Sequence, residues 1–149
     1  MTYSQSYRIR WADLDPNVHM RHSAYNDYAA QTRLQFLTEH GFGMGWFKKH
    51  DVYPVLFREE TVFLKEFGGS ELVTVDVWLQ RINTDATRWT MVNCFLKEDG
   101  MQAAKLTVDG SWISLTTRKL KPPPGELIQL MNTIDKTADF ELITATSKS

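Results

Sequence analysis

Hydrophobic and polar residues alternate from the start of the chain: Tyr3, Tyr7, Ile9 and Trp11 share one parity, and Ser4, Ser6, Arg8 and Arg10 the other. A period of two is that of a half-buried strand, here with an aromatic inner face that includes Trp11. The stretch ADLDPNVHMRHS follows, punctuated by Asp-Pro and Asn. Ser23 stands as N-cap for a helix predicted from about Ser23 to about His40, with Gly41 as its stop. Along it Tyr25, Tyr28, Ala29, Thr32, Phe36 and Leu37 recur at spacings of three and four, whereas Asp27, Gln31, Arg33, Gln35 and Glu39 fall mostly elsewhere on the wheel. The pattern is that of an amphipathic helix.

In GFGMGWFKKHD three glycines leave room only for a short helical turn around Trp46 to His50, with Trp46 and Phe47 serving as a lid or pocket wall, or as a structural plug. From Val52 onward, β-branched and aromatic residues are broken at Gly68-Gly69, Asn83-Thr84-Asp85 and Asp99-Gly100. This predicts antiparallel hairpins with strands at roughly 53–66, 71–82, 87–97 and 102–117. Pro122-Pro123-Pro124 ends the sheet, PGELIQLMNTID suits a short helix, and the polar tail after about 135 is expected to be mobile. One strand, one long helix and four antiparallel strands make an α+β domain in which the helix covers one sheet face and the other needs a partner.

Length and charge narrow the classes. A chain of 149 residues is one domain, 1–149. The formal charge of −1 offers no general pull on nucleic acid, and none is expected as a partner. No run approaches the roughly 20 apolar residues of a membrane span, and MTYSQSYRIR lacks a signal peptide's apolar region, so a cytoplasmic protein without membrane attachment is expected. Cys94 is the single cysteine, which excludes an internal disulfide and a Cys-rich zinc site.

Reactive groups concentrate between the first strand and the helix: Asp13, Asp15, Asn17, His19, Arg21 and His22 lie within ten positions. At a helix N-terminus the N–H groups are free and the dipole is positive, so a developing oxyanion is stabilised while a nearby carboxylate acts as nucleophile or base. Asp and Asn are also ordinary turn and cap residues, so composition alone leaves both readings open.

The stretch WADLDPNVHMRHSAYNDYAAQTRLQFL resembles the N-terminal signature of the 4-hydroxybenzoyl-CoA thioesterase family of hot-dog-fold enzymes, in which an Asp-x-Asp-Pro loop precedes the central helix. It is also similar to the Asp-x-Asn-x-His-Val-Asn-Asn-x-x-Tyr motif of plant acyl-carrier-protein thioesterases and bacterial long-chain acyl-CoA thioesterases, with Asp15, Asn17, His19 and Tyr25 matching. The family's frequent Ala-Gly after the proline is Asn17-Val18 here, and its Asn-Asn pair is Arg21-His22. The order of elements and the segment GSWISLTTRKLKPPPGEL also fit.

The resemblance implies a hot-dog fold, a five-stranded antiparallel sheet wrapped around one long helix, and hydrolysis of an acyl-CoA or acyl-carrier-protein thioester without a cofactor or metal. Asp15 is then the catalytic carboxylate, Asn17 and His19 orient it or its water, and the backbone N–H at His22 polarises the carbonyl. Tyr25, Trp46 and Glu66 are the substrate-binding candidates. Glu66-Phe67-Gly68 is similar to a Glu-Cys-Gly stretch of the plant enzymes, although a strand-end glutamate is also ordinary solvated surface. Lys65, Arg81, Arg88, Lys97 and Arg118 are candidates for CoA phosphates or plain exposed strand charges. Trp78, Trp89 and Trp112 read as core or interface aromatics, and Cys94 as buried filler. The implied assembly is a homodimer, with a homotetramer as its extension, in which the loop after Gly68 of one chain approaches Asp15 of the other.

Other readings explain less. Asp13-Leu14-Asp15 matches the Asp-x-Asp of haloacid-dehalogenase-type phosphatases, but those loops follow a buried parallel strand. A metal held by Asp13, Asp15, His19 and His22 is chemically conceivable. A dehydratase of the same fold needs a His-Phe-Pro-Gly-like loop, which this chain lacks. The main alternative is a non-catalytic hot-dog module that binds acyl thioesters or serves in assembly.

Overall fold

A computed structural model describes residues 2–144. Strand β1 (Tyr3–Arg8) leads through a short 3-10 turn (Trp11–Asp13) to the long helix α1 (His22–Glu39) and the short helix α2 (Met44–His50). Strands β2 (Tyr53–Phe63), β3 (Leu72–Asn83), β4 (Trp89–Leu96) and β5 (Gln102–Ile113) follow, then α3 (Gly125–Met131) and β6 (Lys136–Ile143). The sheet order is β1-β3-β4-β5-β2, all antiparallel neighbours, and β6 adds to β3 in parallel. This is an α+β hot-dog fold, a long central helix wrapped by a mostly antiparallel sheet.

The wrapped face follows from the period of α1. Ala24, Tyr25, Ala29, Thr32, Phe36 and Leu37 are buried against inward residues of the strands such as Val73, Val75 and Leu106. The helix stops where glycine permits a left-handed turn: Gly41 has φ +92°, its N–H donates to Thr38 O, and the Phe42 N–H reaches back to Leu37 O, a Schellman closure.

Three expectations change. Strand β1 ends at Arg8, which pairs with Leu72, the first residue of β3; Ile9 still exchanges backbone bonds with Glu71 and Ser70, and the chain then coils into the 3-10 turn. Trp11 therefore sits in the 3-10 turn and is 83% exposed instead of lining an inner face. The helix starts at His22 with Arg21 in the cap position, and Ser23 Oγ accepts from Arg21 Nε at 3.0 Å instead of capping. Residues 136–143, expected within a mobile tail, form β6, which covers the half of β3 that β1 leaves free. The final five positions of that tail, 145–149, lie outside the described residues.

Candidate active site

The segment between β1 and α1 folds back on itself. Leu14 pairs with Met20, the Asp15 N–H donates to His19 O at 2.8 Å, and the Val18 N–H donates to Asp15 O at 2.9 Å. Closing so short a turn places Val18 at φ +63°, a left-handed conformation that a β-branched residue rarely adopts. Within the turn, Asp15 Oδ1 accepts the backbone N–H groups of Asn17 at 2.9 Å and His19 at 3.2 Å. Asn17 and His19 thus hold Asp15 through their main chain.

The neighbouring aspartate is used differently. Asp13 is buried at 2% exposure, and both its oxygens are engaged by side chains. Arg10 donates to Oδ1 and Oδ2 at 3.0 Å each, Arg21 Nη1 to Oδ1 at 3.1 Å, and the Tyr28 hydroxyl to Oδ2 at 2.6 Å. The Arg10 guanidinium, with Tyr28 and Arg21, holds this carboxyl well below the usual carboxylate range against the opposing effect of burial. Asp13 is the anchor that fixes the start of α1, and those partners leave it little capacity to join a metal site.

Beside this turn runs the segment between β2 and β3. His19 pairs with Gly68, and the Met20 N–H donates to Phe67 O at 2.7 Å. The segment at Phe67-Gly68 therefore lies against the Asp15 turn of its own chain. His19 Nε2 lies 3.2 Å from Glu66 Oε2, so the imidazole faces Glu66. The Gly68 N–H donates to Glu71 at 2.6 Å and Lys97 bonds the other Glu71 oxygen at 3.0 Å, which together lower the Glu71 pKa.

These elements enclose an open cleft of about 890 Å³ that brings together Asp15, His19, His22, Tyr25 and Glu66, with Lys65 and Lys97 on its wall. Such a volume suits a sizeable ligand. His22 opens α1, and first-turn N–H groups of a helix have no intrahelical acceptor. Tyr25 is buried against Phe63, Phe67 and Phe95, and burial pushes its pKa up to about 12, so its hydroxyl stays protonated.

Trp46 is not among the residues of the cleft. It packs in α2 against Phe42 and stacks on His50 with ring centroids 4.2 Å apart, beyond the other end of α1, as a plug. Asn17 is exposed and contributes its N–H. Arg81 pairs with Glu141 of β6, and Arg88 lies over the Phe57 ring. Burial pushes the Cys94 thiol up to about 11, which leaves it without nucleophilic character at neutral pH.

Residues 9–131 match the family model of the thioesterase-like superfamily. The chain belongs to this superfamily. Strand β6 lies outside the matched span. Among solved structures, the superfamily chain is similar to the hypothetical protein SAV2348 from Staphylococcus aureus in complex with CoA, at 19% identity and TM-score 0.84 over 95% of this chain and 90% of that one. It is similar to the 1,4-dihydroxy-2-naphthoyl-CoA thioesterase Slr0204 from Synechocystis at 14% identity and TM-score 0.79, over 92% of this chain and 100% of that one. It is similar also to a DHNA-CoA thioesterase from Staphylococcus aureus at 16% identity and TM-score 0.79, over 89% of each chain. At these identities the likeness is one of fold. No curated protein sequence matches the chain.

Sequence reasoning missed Arg33, which it left on the polar side of the wheel. It runs under the sheet, where Nη1 donates to the buried Asn93 Oδ1 at 2.7 Å. The available signal was its spacing of four from Ala29 and from Leu37, which puts it at the border of the apolar face.

Proposed function

We propose that this protein hydrolyses acyl-CoA thioesters. The observation that carries the reading is one cleft holding Asp15, tied by two backbone N–H bonds, beside the first residue of α1, His22. In it the thioester carbonyl oxygen takes the His22 N–H and the helix dipole, and Asp15 either removes a proton from an attacking water and returns it to solvent, or attacks the carbon to form an anhydride that water then hydrolyses to the free acid and the restored carboxylate. The carbon–sulfur bond breaks, a carbon–oxygen bond forms, and the thiolate leaves and takes a proton from solvent. A thiol with pKa near 8.5 leaves without a dedicated acid, so His19, facing Glu66, orients the turn. Tyr25 and Glu66 border the acyl and pantetheine path, and Lys65 meets the phosphates. Relatives of the same fold that carry CoA or the name of a CoA thioesterase support CoA as the thiol carrier, with an acyl-carrier protein as the alternative donor.

The active form in this reading is a homodimer, extended in its larger assembly to a homotetramer. Strand β2 is an edge of the sheet, and Leu56, Phe57, Val62 and Phe63 along it are exposed. An eleven-residue edge strand with free backbone groups, apolar at Leu56-Phe57 and Val62-Phe63 on either side of Arg58-Glu59-Glu60, is open to pairing with a second copy. A panel of acyl-CoAs followed by thiol release tests the reading: turnover of at least one class supports it, and binding without turnover across the panel returns the chain to a non-catalytic acyl-thioester module. Sedimentation at micromolar concentration is expected to find dimer, and a monomer with full turnover contradicts the assembly.

A further inference from the structure

Under the sheet, beside the second half of α1, lies an apolar pocket of about 190 Å³ lined by Arg33, Leu37, Leu56, Val77, Trp89 and Trp112, among others. An apolar cavity of about 150 Å³ holds a benzene ring, so this one has room for a ring or several methylenes. Its walls are hydrocarbon, yet the polar groups around it are donors. Arg33 is half-buried as a residue, and burial lowers its guanidinium pKa to about 10, so the charged end is desolvated and still cationic at neutral pH. Its bond goes to the neutral amide of Asn93, which in turn donates to Asp76 O at 2.8 Å. Among the described residues no carboxylate reaches ion-pair distance of it, and Glu59 acts on it only from farther off. The indole N–H groups of Trp89 and Trp112, 4% and 1% exposed, are both buried with no partner among the described residues. Gly110 makes this wall possible: a Cβ there would collide with the Trp89 ring at Cη2.

A buried cation is ordinarily paired, and a buried N–H ordinarily bonded. Here one charged side chain, Arg33, lines an apolar space that lacks an anion, and the indoles of its wall hold two further buried N–H groups. Arg33 also follows His22 by eleven residues, which is three turns, so both project from the same side of α1 at a separation of about 16 Å along its axis. Ala30, less than one turn before Arg33, is small and lines the pocket.

We propose that this pocket is the subsite for the far end of the acyl group and that it selects a chain ending in a carboxylate, which pairs with Arg33. The inference rests on the thioesterase reading for the placement of the near end at His22, and the subsite itself is testable without turnover. Hexanoate and 1-hexanol have equal chains, and the indoles of the pocket report their binding through fluorescence. Hexanoate is expected to bind the unmodified protein at least about tenfold more tightly, and Arg33→Gln to abolish that difference. Equal affinity for the two probes, or a preference that survives Arg33→Gln, overturns the subsite. So does Arg33→Gln weakening self-association with no probe preference, which assigns the counter-ion to a second copy. The probe comparison on the unmodified protein decides even where the variant fails to fold. In turnover, an ω-carboxyacyl-CoA is expected to exceed the methyl-ended chain of equal length in kcat/KM by about tenfold or more. Hexanoate preference without hydrolysis of any thioester keeps the subsite and discards the enzyme. Hydrolysis with no preference in either assay does the reverse.

Discussion

Asp13 and Asp15 stand two residues apart at the entrance to the same helix, and the fold treats them in opposite ways. Asp13 is buried and spends both oxygens on Arg10, Arg21 and Tyr28. Asp15 is half-buried at the cleft, and the hydrogen bonds to its carboxylate come from two main-chain N–H groups on one oxygen, leaving Oδ2 without a partner among the described residues. The difference teaches that the number and type of donors, more than sequence position, separate a carboxylate that holds the fold from one able to react.

The largest effect belongs to the anchor. Asp13→Ala leaves two guanidinium groups and the Tyr28 hydroxyl without their acceptor, and removing one partner of a buried ion network costs about 3–5 kcal/mol. Because Arg10 is 71% exposed, water re-solvates part of the network, and the low end, about 3 kcal/mol, is expected in urea unfolding. A loss under about 0.5 kcal/mol, the range of plain surface substitutions, would erase the distinction between the two aspartates.

The same anchor has a pH signature. Its folded-state pKa is depressed, so its contribution is present above the unfolded value of about 3.9 and is lost as pH falls through the folded value. The stability gap between the wild type and Asp13→Asn should accordingly be widest near neutrality and shrink below about pH 4. A gap that widens on acidification contradicts the assigned sign.

Smaller effects sharpen the Asp15 side. Val18→Gly relieves a left-handed β-branched residue, worth about 1–2 kcal/mol, against a glycine entropy cost of about 0.5–1 kcal/mol. A net gain of up to about 1.5 kcal/mol is expected in thermal unfolding, and a loss would mean that the Val18 side chain packs in a way its exposure does not suggest. His19→Gln keeps the backbone N–H that bonds Asp15 and removes the ring that faces Glu66. Turnover should fall by less than about tenfold with no change in the alkaline limb of the pH–rate profile, whereas a general acid would cost about 100-fold or more and remove that limb.

Much of this was legible in the sequence. The spacing of Tyr25, Ala29, Thr32, Phe36 and Leu37 predicts the buried face of α1, and Gly68-Gly69, Asp85 and Gly100 mark turns that the strands obey. What was hidden depends on contacts made at a distance. The parity of Trp11 continues that of Tyr7, yet backbone pairing stops at Ile9, which bonds Glu71 and Ser70, and the chain coils into the 3-10 turn. Residues 136–143 are mostly exposed and carry a weak period, so only the free half of β3 makes them a strand. In the site, Asp15, His19, His22, Tyr25 and Glu66 do share one cleft, but Trp46 lies apart. The division of labour between the aspartates needed Arg10, Arg21 and Tyr28 in place. Glycine in the family at position 18 fits a turn that requires positive φ, and Val18 adopts that conformation without glycine's freedom.

The central claim is that Asp15 carries the chemistry and not the fold, and an isosteric amide separates the two. Asp15→Asn keeps an oxygen for the N–H groups of Asn17 and His19 and removes the negative charge. Thiol release and urea unfolding measured on the same preparation should show a loss of at least about 100-fold in turnover with unfolding free energy within about 0.5 kcal/mol of wild type. Turnover within a few-fold of wild type, or a loss matched by a fall in stability, would contradict it.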